Sequence, residues 1–193
     1  VEILAGTDMI ETGSQAILFN KDVGLTEKGT ELFEELMLFQ KKVFLICLGF
    51  SRNASDAQDL AQDVYLRAYK NIGTLSEPSL AKVWLFRIAR NTCLNFQKKH
   101  RLDRISSYEM LQKAMDPLTP ESKIIHREQL LLLKKAVHKL PKKQRDVFVL
   151  KEYGDLSYQE IARTLKIELG TVMSRLNRAR RAVKKQVTGD RNV

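Results

Sequence analysis

The chain has 193 residues, 44% of them hydrophobic, enough for one or two small domains that each bury a modest core. Its formal net charge of +10 favours a polyanionic partner, either nucleic acid or an anionic membrane surface. The charge is uneven: residues 1–30 carry five acids and two lysines, whereas Lys134 to Lys185 holds fifteen Lys or Arg against five acids. A basic end on a mixed chain points to nucleic acid.

The composition also excludes several classes. The most apolar stretch, Leu32 to Phe50, is interrupted by Glu34, Glu35, Lys41 and Lys42, so no membrane span is expected. With no evident signal peptide, the chain reads as soluble, intracellular and not inserted in a membrane. Cys47 and Cys93 lie in apolar helical patterns and form no C-x-x-C pair, as expected of buried small hydrophobes in a reducing compartment. His100, His126 and His138 have no metal-ligand spacing and read as surface residues. No Gly-rich phosphate loop and no nucleophile motif appears. No catalytic residue, metal or cofactor is therefore expected, and the chain reads as not an enzyme.

Val1 to about Gly29 is weakly patterned, either a flexible extension or a partly non-native segment. Thr30 is placed to cap a helix running to about Phe50, with Leu32, Leu36, Phe39, Val43, Cys47 and Phe50 on its core face. Ser55-x-x-Gln58 has the form of a capping box that opens a helix through about Asn71. Leu60, Val64 and Ala68 line its inner side, with Ala57 and Ala61 beside them, while Asp56, Asp59, Gln62, Asp63 and Arg67 are mostly outward. Asp56 and Asp59 suit a helix N-terminus. Asp63 suits it less well, which leaves a basic partner surface open as the alternative.

Asn71 to Ala81 reads as a loop punctuated by Gly73 and Pro78. The helix after it, about Lys82 to Lys99, places Trp84, Leu85, Ile88, Ala89, Thr92 and Phe96 on its core side. Arg87, Asn91, Asn95 and Lys98 recur on another face with Arg90 beside them, and the helix runs into Lys98, Lys99, His100, Arg101 and Arg104. A helix C-terminus needs fewer cations than this, so the face reads as a nucleic-acid contact. Trp84 fits a core position better than a stacking platform, and Tyr65 and Tyr69 read as core or interface. From Leu102 to Ser122 the pattern weakens around Pro117 and Pro120, as in a linker.

Glu121 to Leu140 resumes helical spacing through Ile124, Leu130 or Leu131, Leu133 and Val137. Pro141 suits a first helical position, and the next helix turns Val147, Phe148 and Leu150 inward before stopping near Gly154. Ser157-x-x-Glu160 is another capping box and opens a short helix packing Ile161, Ala162 and Leu165. After a tight turn at Lys166 to Glu168, a helix from Leu169 or Gly170 carries Val172, Leu176, Ala179 and Val183 as one apolar stripe. Its other face shows Thr171, Ser174, Arg178 and Arg181, flanked by Met173 and Asn177. Short capped helix, tight turn and basic helix make a helix-turn-helix. Short polar residues near the helix start suit base edges, and the arginines after them suit phosphates. The blander reading is a three-helix corner with a solvated basic face.

The run LPKKQRDVFVLKEYGDLSYQEIARTLKIELGTVMSRLNRARRAVKK resembles region four of bacterial sigma factors of the extracytoplasmic-function (ECF) type. SDAQDLAQDVYLRAYKNI followed by VWLFRIARNTCLNFQKKHR resembles region two of the same family. The resemblance implies an all-α fold of two small helical domains joined by a flexible linker, the C-terminal one a helix-turn-helix. It divides the chain into an extension (1–29), region two (30–101), a linker (102–122) and region four (123–187). It further implies that the Asp56, Asp59, Gln62 and Asp63 helix docks on the beta-prime subunit of core RNA polymerase, the larger contact including the beta subunit. Arg87, Arg90, Asn91, Asn95 and Lys98 would grip the opened minus-ten promoter element. Thr171, Met173, Ser174, Asn177, Arg178 and Arg181 would read the minus-thirty-five element.

Met173 stands where relatives often carry Lys or Arg, and Glu168 where proline is common; both bear on the promoter sequence read, not on the role. The resemblance also implies domains mobile about the linker, and an anti-sigma factor that holds the protein inactive, in the cytoplasm or at the membrane. The rival function is a free-standing helix-turn-helix regulator. It accounts for the C-terminal block but not for the acidic helix, and no segment offers the two-fold interface such a regulator would want.

Overall fold

A computed structural model describes residues 27–51, 53–99 and 122–189, with side chains from Leu130 onward in the last segment. The expected extension up to residue 26 and the linker from 100 to 121 lie outside the described residues, as do His100 and the His126 side chain. Among the described residues there are eight α-helices and no strand: α1 Glu27–Met37, α2 Gln40–Phe50, α3 Ala54–Asn71, α4 Ala81–Lys99, α5 Ser122–Lys139, α6 Lys142–Glu152, α7 Tyr158–Leu165 and α8 Leu169–Gly189. The fold is all-α, in two helical domains. Helices α1 to α4 build the front one and α5 to α8 the back one.

The front core is the meeting of α2, α3 and α4, where Val43, Ile46, Val64, Ala68, Leu85, Phe86 and Ala89 are buried. Cys47 and Cys93 are buried there too, and the Cys93 thiol donates to Cys47 Sγ at 3.7 Å. The single helix expected from Thr30 to Phe50 is two helices, beginning at Glu27 and broken at Leu38 and Phe39. Neither glycine nor proline marks the break; tertiary contacts make it. The Leu38 and Phe39 amides bond three residues back instead of four, at 3.2 and 3.1 Å. Phe39 turns edge-on to Phe86, with ring centroids 5.8 Å apart. The buried Tyr65 hydroxyl donates to the Leu36 carbonyl at 3.1 Å, the same acceptor that takes the Phe39 amide, and so ties the helix end to α3. Burial pushes the Tyr65 phenol up. Tyr65 is therefore core, and Tyr69 packs half-buried against Phe33.

The Ser55-x-x-Gln58 pattern is not the cap of α3. Asn53 takes that role, its side-chain oxygen accepting from the Asp56 amide at 2.7 Å. Asn caps at least as well as Ser, and starting at Ala54 lengthens the helix. The expected loop before α4 contains two short 3-10 turns, Ile72–Thr74 and Pro78–Leu80.

In the back domain Ala136, Val137, Val147, Val149, Leu150, Leu156 and Ile161 close over the apolar stripe of α8, whose Val172, Leu176, Ala179 and Val183 are all buried. Pro141 sits one residue before α6, as its cap and not as its first residue. His138 is half-buried with Nε2 shielded from solvent, contrary to the surface position expected, because its carbonyl is drawn in to accept from Arg145.

The two domains pack on each other through α2 and α4 on one side and α5, α6 and α7 on the other. Gly49 of α2 faces α6 so closely that an added Cβ would lie 2.8 Å from both Val149 Cγ2 and Tyr153 Cε2. Burial pushes the Tyr153 phenol up to about 12. Gly154 likewise leaves room for Ile46 of α2, whose Cδ1 lies 3.1 Å from where a Cβ would stand. The seam thus combines apolar contact with the polar contacts described below.

Candidate nucleic-acid interface

The helix-turn-helix is fixed by local chemistry at both ends of α7. Ser157 Oγ accepts from the Glu160 amide at 3.2 Å, and Glu160 Oε2 accepts from the Ser157 amide at 2.7 Å, so the predicted capping box is complete. The helix ends at Lys166, which takes the left-handed conformation with φ 54°. The Ile167 amide then bonds back to the Ala162 carbonyl at 3.1 Å, turning the chain into α8. The Glu168 backbone carbonyl accepts from the Thr171 and Val172 amides at 3.0 and 3.1 Å and stands as the first acceptor of that helix.

With its stripe buried, α8 presents Met173, Ser174, Asn177, Arg178 and Arg181 to solvent on neighbouring turns. Thr171 is half-buried at the start of that face. The Ser174 hydroxyl donates to the Thr171 carbonyl at 3.1 Å and keeps lone pairs free to accept. Met173 is 51% exposed, an apolar group among polar ones. Arg180, which periodicity leaves off this face, is held back by Glu152 at 2.9 and 2.7 Å.

The five candidates on α4 are split. Asn91, Asn95 and Lys98 are exposed. Arg87 and Arg90 are half-buried and turned into the back domain. Arg87 donates to the carbonyls of Arg163 and Thr164 at 2.8 and 3.3 Å. Arg90 directs Nε (3.0 Å) and Nη2 at one oxygen of Asp146, whose side chain is 5% exposed, and Nη1 at Asn91 Oδ1. Spacing alone missed two further cations of this seam. Lys82 pairs with Glu160 at 3.0 Å and Lys42 with Asp155 at 3.1 Å. Asp155 is held below the usual carboxylate range by the bond from Lys42. For Glu160 burial works the other way, yet the bonds from the Ser157 amide and Lys82 prevail and its carboxyl is also lowered.

Trp84 is half-buried against the front core and also lines a cleft of about 450 Å³ with Ser76, Arg87, Arg163 and Lys166. On the other side of the domain, Asp59, Gln62 and Asp63 are exposed along α3. Asp56 is half-buried and close enough to Lys134 of α5 that its charge partly counters the lowering of that amine by burial. Among the described residues no group of His, Cys, Asp or Glu is arranged to hold a metal, and no helix is long and apolar enough to cross a membrane.

Comparison with known proteins agrees with this arrangement. The family description Sigma-70 region 2 matches residues 37–102, and Sigma-70, region 4 matches residues 130–183. The ECF RNA polymerase sigma factor SigW of Bacillus subtilis is 30% identical over 182 residues, covering 89% of this chain and 97% of its own. The RNA polymerase sigma-H factor of Pseudomonas aeruginosa is 30% identical over 163 residues, covering 79% and 84%. Two solved structures share the fold. CnrH in complex with the cytosolic domain of CnrY has a TM-score of 0.62 at 20% identity, covering 84% of this chain and 96% of that one. The sigma factor RpoE in complex with the anti-sigma factor NepR from Bartonella quintana has a TM-score of 0.63 at 24% identity, covering 82% and 98%. A capped helix-turn-helix behind a basic, acid-flanked front domain, both blocks matched in order and a relative aligned along nearly its whole length, place the chain among the ECF sigma factors of the sigma-70 family.

Proposed function

We propose that this sigma factor binds core RNA polymerase through the exposed acids of α3, reads an upstream promoter element with α8, and holds the opened downstream element along α4. The observation that carries the reading is the exposed row Ser174, Asn177, Arg178 and Arg181 on a helix anchored by its buried stripe. A helix so presented enters a major groove with its early side chains at base edges and its later arginines at phosphates. Asp59, Gln62 and Asp63 give the front domain a negative patch in a chain of charge +10, which suits a basic polymerase surface and repels DNA. The chemistry of RNA synthesis belongs to the polymerase. One solved relative is bound to an anti-sigma factor and the other to the cytosolic domain of its partner CnrY, so we extend the reading to an anti-sigma partner, in the cytoplasm or held at the membrane.

In vitro transcription with a bacterial core polymerase, paired with co-purification, tests this. Asp63→Lys reverses a charge on the polymerase-facing patch and is expected to abolish core binding and transcript together. Arg178→Ala is expected to keep core binding and lower promoter output by roughly ten- to a hundredfold, the weight of one good DNA contact. A protein that binds duplex DNA tightly but never associates with core would refute the reading in favour of a free-standing regulator.

A further inference from the structure

We infer that the back domain carries an internal phosphate mimic, formed by Asp146, Glu160 and the carbonyl end of α7, which occupies the cations of α4 and must be displaced before the opened strand can bind there. The inference rests on Arg87 and Arg90 being strand contacts, as proposed above, and concerns how those contacts are withheld.

Each cation of α4 on this side meets an oxygen of the kind a phosphate offers. Arg87 donates to the carbonyls of Arg163 and Thr164, which end a helix and have no partner within it. That helix end also carries partial negative charge. Arg90 spends two N–H groups on Asp146, and Lys82 meets Glu160. In both arginines the Nε–Nη2 edge, one of the forks that grips a phosphate, is occupied, so strand binding and closure compete for those donors. The Arg90–Asp146 pair is largely withdrawn from solvent, hence weakly screened by salt. One feature favours eventual release: Asp146 Oδ1 is buried and takes no hydrogen bond, so the closed arrangement leaves half of that carboxylate unsatisfied.

The covering is one-sided. Ser174, Asn177, Arg178 and Arg181 stay exposed while Arg87 and Arg90 are engaged. A closed chain therefore keeps its duplex-reading face and lacks its strand-holding one. Opening the seam is then a step between the two recognition events, and apparent strand affinity falls by the fraction of chains that are open.

The test uses the full chain and two readouts: radius of gyration by small-angle X-ray scattering, and anisotropy of a short fluorescein-labelled single-stranded DNA of mixed sequence. Asp146→Asn removes the charge and keeps the shape. Gly49→Gln keeps every charge and wedges the seam at α6 (Gly49 has no room for even a Cβ there). Both are expected to enlarge the particle and to tighten strand binding about tenfold, on the scale of freeing a population that is mostly closed. Glu34→Gln, on the exposed side of α1, removes one negative charge outside these ion pairs and is expected to change neither readout. Adding Arg87→Gln and Arg90→Gln to Gly49→Gln should leave the particle enlarged and cancel the gain. An unchanged radius in both Asp146→Asn and Gly49→Gln overturns the latch, whatever the binding does. An enlarged particle without tighter binding overturns instead the assignment of Arg87 and Arg90 to the strand, and the inference with it. Far-UV circular dichroism checks that helicity is kept; if Asp146→Asn loses it, Gly49→Gln decides alone.

Discussion

Replacing Gly49 by alanine sets two effects of known sign against each other. Within a helix the change is favourable by up to about 1 kcal/mol, because glycine loses more backbone freedom on folding. In the closed molecule the new methyl would stand 2.8 Å from Val149 Cγ2 and from Tyr153 Cε2, and 2.9 Å from Tyr153 Cδ2. Carbon atoms prefer roughly 3.5–4.0 Å, so α6 and α2 must part by about 0.7 Å or the Tyr153 ring must leave its site. Over-packing of this kind costs about 1–3 kcal/mol. The difference is a net destabilisation of about 1 kcal/mol, or a fall in Tm of roughly 2–4 °C for a chain of this size. Gly170 is the internal control: it is helical, and a Cβ there meets nothing within 4 Å. Gly170→Ala is expected to raise Tm through propensity alone. Differential scanning calorimetry of both variants decides the matter. If Gly49→Ala stabilises the protein as much as Gly170→Ala, the seam at α2 and α6 is not closely packed in solution, and the reasoning fails.

Three further outcomes follow from the same structure. Ser157→Ala removes one half of the capping box and should cost about 1 kcal/mol in urea denaturation; no loss would mean that the Ser157 to Glu160 bonds are not formed. Lys166→Gly relieves a left-handed residue worth about 1–2 kcal/mol of strain, less about 0.5–1 kcal/mol for a more flexible unfolded chain, and should leave the protein about 0.5–1 kcal/mol more stable by the same assay. Asp155 and Glu160 both hold their carboxyls below the ordinary range. Their contribution to closure is therefore present above pH 4–5, and it is lost as pH falls through the lowered folded values. The radius of gyration should rise on acidification below about pH 4, and less so in Glu160→Gln; a radius indifferent to acid would contradict these pairings.

What the sequence made legible is whatever repeats locally. Val172, Leu176, Ala179 and Val183 announce the inner face of α8 by spacing alone, and all are buried. Ser157 and Glu160 announce their box, and Asp155 two residues earlier does not displace it, because its backbone is left-handed (φ 53°) and its carboxylate is taken by Lys42. Ser55 and Gln58 fit the same pattern and fail, because Asn53 two residues earlier offers an equally good oxygen. The break at Leu38 was illegible for a different reason: the Tyr65 hydroxyl and Phe86 ring that favour it come from α3 and α4. Least legible was the seam. Its pairs join residues separated by 113, 78 and 56 positions, and cations that look solvated along one helix give no sign of acids arriving from another domain.

The buried sulfur pair makes the front domain a clock that can be read separately. The chain has two cysteines, Cys47 and Cys93, both in that domain. Both have 0% exposure, and the bond from Cys93 together with burial holds the Cys47 thiol in its protonated, unreactive form. A thiol reagent can therefore attack only when α2 and α4 separate. Alkylation rates under native conditions then report how often that core opens, and because α2 and α4 also carry the seam, release of the back domain registers in the same rate. Polymerase, promoter strand or a candidate partner chain can each be added to the unmodified protein, and the change in labelling half-life read as the protection each confers on the core between α2 and α4.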